Sequence, residues 1–232
     1  MNRTIVITGG SDGLGKSIAQ AFSSTDKVYI LAPNEDKLKK ISKELNCKYL
    51  VCDVADTYSS KKAIDYILND SGKIDILVNN AGLWIEGEVE NNDLDHVKRI
   101  IDVNFFGIIN LCNLVIPSMK KQKDGLIVNV NSLSGYFFKA KRTVYNSTKW
   151  AITGFTGSLR PELEPFGIRV TDFHPGLMKT NIFDKANVSK NTEQGIDTDS
   201  VAKVVQLIAD LPKNIAIPDI GVINNIYYGG NC

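Results

Sequence analysis

Residues 4–22 read TIVITGGSDGLGKSIAQAF. The β-branched run TIVIT predicts a buried strand, and Ile18, Ala21 and Phe22 fall on one face of the helical stretch that follows. Between them lies a glycine-rich turn. Such a turn aims backbone N–H groups and a helix N-terminus at one point, a setting that favours phosphate. Gly9, Gly13 and Gly15 are spaced more widely than the tight dinucleotide fingerprint, and Asp12 places a carboxylate among them. Alone, the turn is equally compatible with a ligand site and with a plain strand-to-helix connection.

The same alternation continues along the chain. Strands are predicted at 27–32, 48–53, 74–80, 126–131, 168–176 and near 215–224. Helices are predicted over 34–45 with Asn34 as N-cap, near 58–70, from about Leu94 to Met119 with Pro117 bending or ending it, from about Thr143, and over 200–211. Almost continuous apolar strands alternating with helices imply an α/β fold, a doubly wound, mainly parallel seven-stranded sheet with helices on both faces. No linker or repeat divides residues 1–232, so one domain is expected. The stretch 181–198, NIFDKANVSKNTEQGIDT, is polar and aperiodic, and its place after the sixth strand suggests a lid inserted over a substrate.

Composition narrows the partners. With 27 basic and 26 acidic side chains, nothing points to nucleic acid or an anionic membrane. No uninterrupted apolar run approaches a membrane span, and no leader fits before the run at Thr4. Cys47, Cys52, Cys112 and Cys232 form no C-x-x-C pair, and His96 and His174 lie far from them in sequence. No metal site or disulfide framework is expected, and a reducing cytoplasm is.

In a doubly wound sheet, ligands bind beyond the C-terminal strand ends. Those ends carry the glycine turn, Asp53, NNAG (79–82), Ser132 and HPG (174–176). Five concordant strand ends say more than one turn. Tyr145 and Lys149 in YNSTK stand four residues apart on one helix face. A nearby ammonium favours the phenolate and so lowers a tyrosine pKa toward a catalytic range, although an ordinary surface pair has the same spacing. Ser132, at a strand end, can donate to a carbonyl oxygen; Ser134 is its rival, and either could instead bond its own turn.

Taken together, these stretches resemble the short-chain dehydrogenase/reductase family, in its short single-domain branch, over nearly the whole chain. The turn 8–15 is similar to the family's T-G-x3-G-x-G cofactor loop, which implies cofactor contacts at Gly9, Ser11, Asp12, Gly13, Leu14 and Gly15. Asp53 and Val54 match an adenine-contacting Asp-Val, and Asn80, Ala81 and Gly82 match the motif after the fourth strand. PGLMKT resembles P-G-x-V-x-T with Met178 in place of valine, which implies that Pro175, Gly176, Met178 and Thr180 hold the carboxamide side of a nicotinamide. Asn104 in VNFFG falls at the catalytic asparagine, and Ser132 stands thirteen residues before Tyr145, the family's usual interval. The resemblance implies Tyr145 as proton donor or base, Lys149 on the ribose hydroxyls, Ser132 on the substrate oxygen and Asn104 in a water-linked relay to Lys149.

The expected activity is NAD(P)-dependent interconversion of a small carbonyl compound and its alcohol. A non-catalytic nucleotide sensor on this fold is the alternative, marked by loss of Tyr145, Lys149 or Ser132, all of which are present. The extended branch, with its extra substrate domain, does not fit in 232 residues. Ala32 and Pro33 offer neither the acid that selects NAD nor the arginine that selects NADP, while Asn34 can bond either cofactor. Asp12 stands where NADP-preferring relatives often carry a cation, which tilts the reading slightly toward NAD. Trp84, Ser134, Tyr136 and Leu177 are expected to line a largely apolar substrate pocket. His174 is expected to be structural. Trp150 points away from the Tyr145–Lys149 face, toward packing or a subunit contact. The family's habit implies a homodimer or homotetramer through the helices at 94–119 and 145–165, and YYGG (227–230) faintly resembles a common family ending.

Overall fold

A computed structural model describes residues 2–225. Its strands are β1 (Thr4–Thr8), β2 (Lys27–Ala32), β3 (Lys48–Val51), β4 (Ile76–Asn79), β5 (Gly125–Val130), β6 (Ile168–Pro175) and β7 (Asp219–Val222). They form one sheet in the order β3-β2-β1-β4-β5-β6-β7, and every pairing is parallel. The expected doubly wound sheet is therefore present and wholly parallel. After β3 the chain crosses to the other side of β1, so strand order reverses between β1 and β4. A crevice opens at such a reversal.

Period-two alternation sends the central strands' side chains into two cores. Ile5, Ile7, Val28 and Ile30 pack with α1 (Gly13–Phe22), α2 (Glu35–Leu45) and α7 (Thr198–Asp210) on one face. Val6, Tyr29, Leu31 and Leu77 pack with α3 (Thr57–Ser71), α5 (Gly107–Gln122) and α6 (Thr143–Leu163) on the other. Two helices flanking the cavity start at side-chain caps: at α1 Asp12 accepts from Gly13 N at 2.8 Å, and at α2 Asn34 accepts from Lys37 N at 2.9 Å.

The helix expected over 94–119 differs in detail. α4 (Leu94–Ile101) leads into a π-helical segment, Asp102–Phe106, and then into α5. Pro117 lies inside α5 and does not end it. The 29-residue run Leu94–Gln122 is long and apolar enough to cross a membrane, which counting uninterrupted apolar residues did not register. Half of its apolar window is buried in the fold, as in a core helix. The glycine-glycine ending lies outside the described residues.

Candidate active site

Hydrogen bonds fasten the glycine turn to the end of β4. Thr8 Oγ1 accepts from Asn80 N and Ala81 N at 2.9 Å each, and Asn80 Nδ2 donates to Thr8 O at 2.9 Å. Gly9 has φ +66°, and a Cβ there would lie 2.9 Å from Asn80 Nδ2. A Cβ on Gly15 would stand 2.3 Å from Gly9 O. Glycine is thus required where strand end and helix start close on each other.

A cavity of about 680 Å³ opens over these strand ends. It runs from Ala32, Pro33, Asn34 and Asp53 past the glycine turn to Tyr145 and the 181–198 segment. Every residue the sequence assigned to a cofactor lines it except Gly15, which lies beneath the turn. Trp84, Ser132, Ser134 and Leu177 also line it.

Tyr136 does not line it. Its ring stacks on His174 with centroids 3.8 Å apart, and Phe137 takes the place on the wall. Asn104 is not on the wall either: its Oδ1 accepts from Leu83 N at 2.7 Å and its Nδ2 donates to Leu83 O at 2.9 Å. It clamps the loop beyond NNAG.

Tyr145 and Lys149 are buried on α6, with the Lys149 ammonium 5.6 Å from the tyrosine ring centre. Lys149 Nζ donates to Val130 O at 3.1 Å. Burial lowers its pKa to about 8, against the pull of Asp172. Burial also pushes the Tyr145 phenol up to about 12; a hydrogen bond with Ser132 and the charge of Arg142 oppose that rise. Desolvation dominates at the phenol, and the cation that opposes the rise is Arg142.

His174 supports Ser132 from below, its Nδ1 donating to Ser132 O at 2.9 Å. Its Nε2 lies 3.1 Å from Asp172, out of hydrogen-bond alignment. Asp172, His174 and Asp219 bring ligand-capable atoms within 4.8 Å, a trio the cysteine and histidine spacing did not anticipate. Asn131 bonds Asp172 Oδ2 at 3.2 Å and Arg160 pairs with Asp219 at 2.9 Å, while Asp172 Oδ1 and His174 Nε2 are buried without a hydrogen-bond partner among the described residues.

Asp12 faces the 181–198 segment. Burial raises its pKa, but Asn181 at 2.8 Å and Lys185 at 2.9 Å outweigh burial and hold it at about 2. Asp53 carries Arg99 at 2.8 Å. The sequence reading missed Arg142, Phe183 and Lys190, which surround Trp84. Arg142 lies three residues before Tyr145, a spacing that was available as a signal. The other two lie in the aperiodic 181–198 segment, which gave none.

The profile of the family described as short chain dehydrogenase matches residues 3–191. The chain belongs to that family. It is 33% identical over 211 residues to a 3-ketodihydrosphingosine reductase of Bacteroides thetaiotaomicron, covering 90% of this chain and 77% of the relative. Against dehydrogenase/reductase SDR family member 7B of Xenopus laevis it is 32% identical, covering 87% of this chain and 69% of the relative. Among solved structures, the closed form of a serine dehydrogenase complexed with NADP+ superposes with a TM-score of 0.90 at 26% identity, covering 99% and 98% of the two chains. This short-chain dehydrogenase is an oxidoreductase of the NAD(P)-binding type.

Proposed function

We propose that this short-chain dehydrogenase interconverts a small carbonyl compound and its alcohol, with Tyr145 as the acid–base group. The observation that carries the reading is the convergence of Ser132, Tyr145 and Lys149 at the end of a cavity whose other end begins at the glycine turn. A dinucleotide fits the residues present, because Gly9, Ser11, Gly13 and Leu14 bring the turn's backbone and the start of α1 to the cavity wall, where a pyrophosphate would meet N–H groups. When bound, the nicotinamide supplies or accepts the hydride.

The protein's part is orientation and proton handling. Ser132 donates a hydrogen bond to the substrate oxygen and holds it beside the phenol. Tyr145 donates its proton to that oxygen during reduction and takes it back during oxidation. An acid with a pKa of about 12 is poised to keep its proton until the oxygen gains charge. Lys149, held against Val130 O, would hold the ribose hydroxyls of a bound cofactor and help restore the phenol's proton. Asn104 acts through the Leu83 clamp, fixing the loop that carries Trp84.

For the cofactor, the lean toward NAD required a bare carboxylate at Asp12. Lys185 and Asn181 engage that carboxylate, and Lys37 lies 3.7 Å away. This pairing screens a 2′-phosphate from repulsion, and the related serine dehydrogenase was solved with NADP+. We read the chain as using NADPH at least as well as NADH. The deciding experiment is Tyr145→Phe: turnover should fall about 10²- to 10⁴-fold while NADPH affinity stays within twofold. Retained turnover would overturn the mechanism.

A further inference from the structure

Beyond Tyr145 the cavity ends in donors that have no acceptor. Trp84 packs against Tyr145 with ring centres 4.3 Å apart and against Phe183 at 4.8 Å. Two cations converge on that indole: Arg142 Cζ at 5.0 Å and Lys190 Nζ at 4.9 Å from its ring centre. The Arg142 side chain is only 14% exposed, and its nearest carboxylate, Glu86, stands 3.8 Å from Nε, beyond hydrogen-bond range. Arg142 Nε and Trp84 Nε1 are both buried with no hydrogen-bond partner among the described residues. Lys190 makes no ion pair among them.

An arrangement of this kind is unfavourable on its own terms. Buried donors lose their water without gaining an acceptor, and two desolvated cations repel across a medium that screens them poorly. The aromatic faces compensate in part. The remaining imbalance disappears when a ligand brings acceptor oxygens and negative charge to the same place.

We infer that the Arg142 guanidinium and the Lys190 ammonium, both on the cavity wall beside the Trp84 ring, form a receptor for a carboxylate on the substrate, so that the compounds processed are short oxo acids and the corresponding hydroxy acids. The inference rests on the carbonyl–alcohol reading above and specifies its substrate class. A planar guanidinium fork matches a carboxylate. Glu86, which lines the same group of charges, opposes a dianion and so disfavours a phosphate monoester. The Trp84 ring lies 4.3 Å from the Tyr145 ring and 5.0 Å from Arg142 Cζ, which puts the bound anion close to the reacting carbonyl. Apolar walls at Trp84, Phe183 and Leu177 enclose the short carbon chain between them.

The test compares acetoacetate with methyl acetoacetate in the NADPH-loaded enzyme. The acid should show at least tenfold higher kcat/KM than the ester. Lys190→Gln should raise KM for the acid at least fivefold and leave the ester within twofold, and Lys190→Arg should restore the acid. Burial, with Arg142 and Lys139 nearby and only Glu86 opposing them, lowers the Lys190 pKa to about 8. The ratio of the acid's KM to the ester's should therefore climb as pH rises through 8, since Lys149, which titrates in the same range, acts on both compounds alike. A second measurement separates the two readings: quenching of tryptophan fluorescence by butyrate, with methyl butyrate as control. If neither carbonyl compound turns over, the carbonyl–alcohol reading fails, and butyrate binding that weakens in Lys190→Gln still sustains the anion receptor. Equal use of acid and ester, or no butyrate quenching, or quenching unaffected by Lys190→Gln, overturns the receptor.

Discussion

Lys149 is enclosed on α6, its ammonium held by a single carbonyl. Burial lowers its pKa from 10.5 to about 8. Between those values the unfolded chain keeps a proton that the folded chain has released, so stability rises with pH across that window. Below pH 8 the buried charge costs its full amount. Without added cofactor, Lys149→Met should be the more stable protein at neutral pH, by roughly 1–3 kcal/mol at about 1.4 kcal/mol per pKa unit, less about 1 kcal/mol for the lost hydrogen bond. Urea denaturation near pH 7 and pH 10 checks this, since the difference should shrink at the higher value. A constant difference would mean that the lysine is not desolvated. Its position was legible from the four-residue spacing to Tyr145, but its effect was not. Sequence spacing reports which charges are close; whether attraction or desolvation wins depends on how much water the fold removes. For the same reason Tyr136 was misplaced by one residue. Three consecutive aromatics, Tyr136, Phe137 and Phe138, look equivalent until the backbone sends the first to His174, the second to the cavity and the third, 81% exposed, to the surface.

At the scale of elements, strands and caps follow local chemistry, and the sequence predicted them closely. The π segment Asp102–Phe106 follows a tertiary demand. Asn104 must satisfy both backbone groups of Leu83 while Gly107 passes Val54, where a Cβ would lie 2.7 Å from Val54 Cγ2. No local periodicity encodes that requirement. Asn104→Ala should leave the Leu83 N–H and C=O without partners, lower stability by about 2–3 kcal/mol and reduce kcat. Thermal unfolding and steady-state kinetics check both, with Thr148→Val as a control that leaves the Leu83 clamp in place and removes the 3.3 Å contact to Asn104 together with a 2.7 Å bond to the Tyr145 carbonyl. The 181–198 segment is a second such element. Lys185 and Asn181 reach from it to Asp12, so its docking and charge screening are one event. Lys185→Ala should free the Asp12 charge and lower kcat/KM for NADPH several-fold relative to NADH, as repulsion of a 2′-phosphate at partly exposed distances requires. An unchanged cofactor ratio would separate Asp12 from the phosphate site.

The whole molecule leaves apolar side chains outside its two cores. The parallel sheet is covered on both faces, yet Phe138 stacks on Trp150 at the surface with centroids 4.9 Å apart. Leu94, Ile101 and Phe106 are also exposed along the α4–α5 run. That run is apolar enough to pass for a membrane helix while only half of its apolar window is buried. A second copy of the chain is the occupant that the family resemblance implies for these helices, and burying the aromatic pair would remove a large apolar area from water. The expected particle is a homodimer or homotetramer of the 25.6 kDa chain. Sedimentation equilibrium at micromolar concentration should give two or four times that mass. Phe138→Ser combined with Trp150→Ser should shift the distribution toward smaller species. Both positions lie outside the residues lining the main cavity, so the double variant should keep its cofactor affinity. A monomeric wild-type protein would assign the aromatic pair to local packing and leave the apolar character of α4–α5 to its buried side alone.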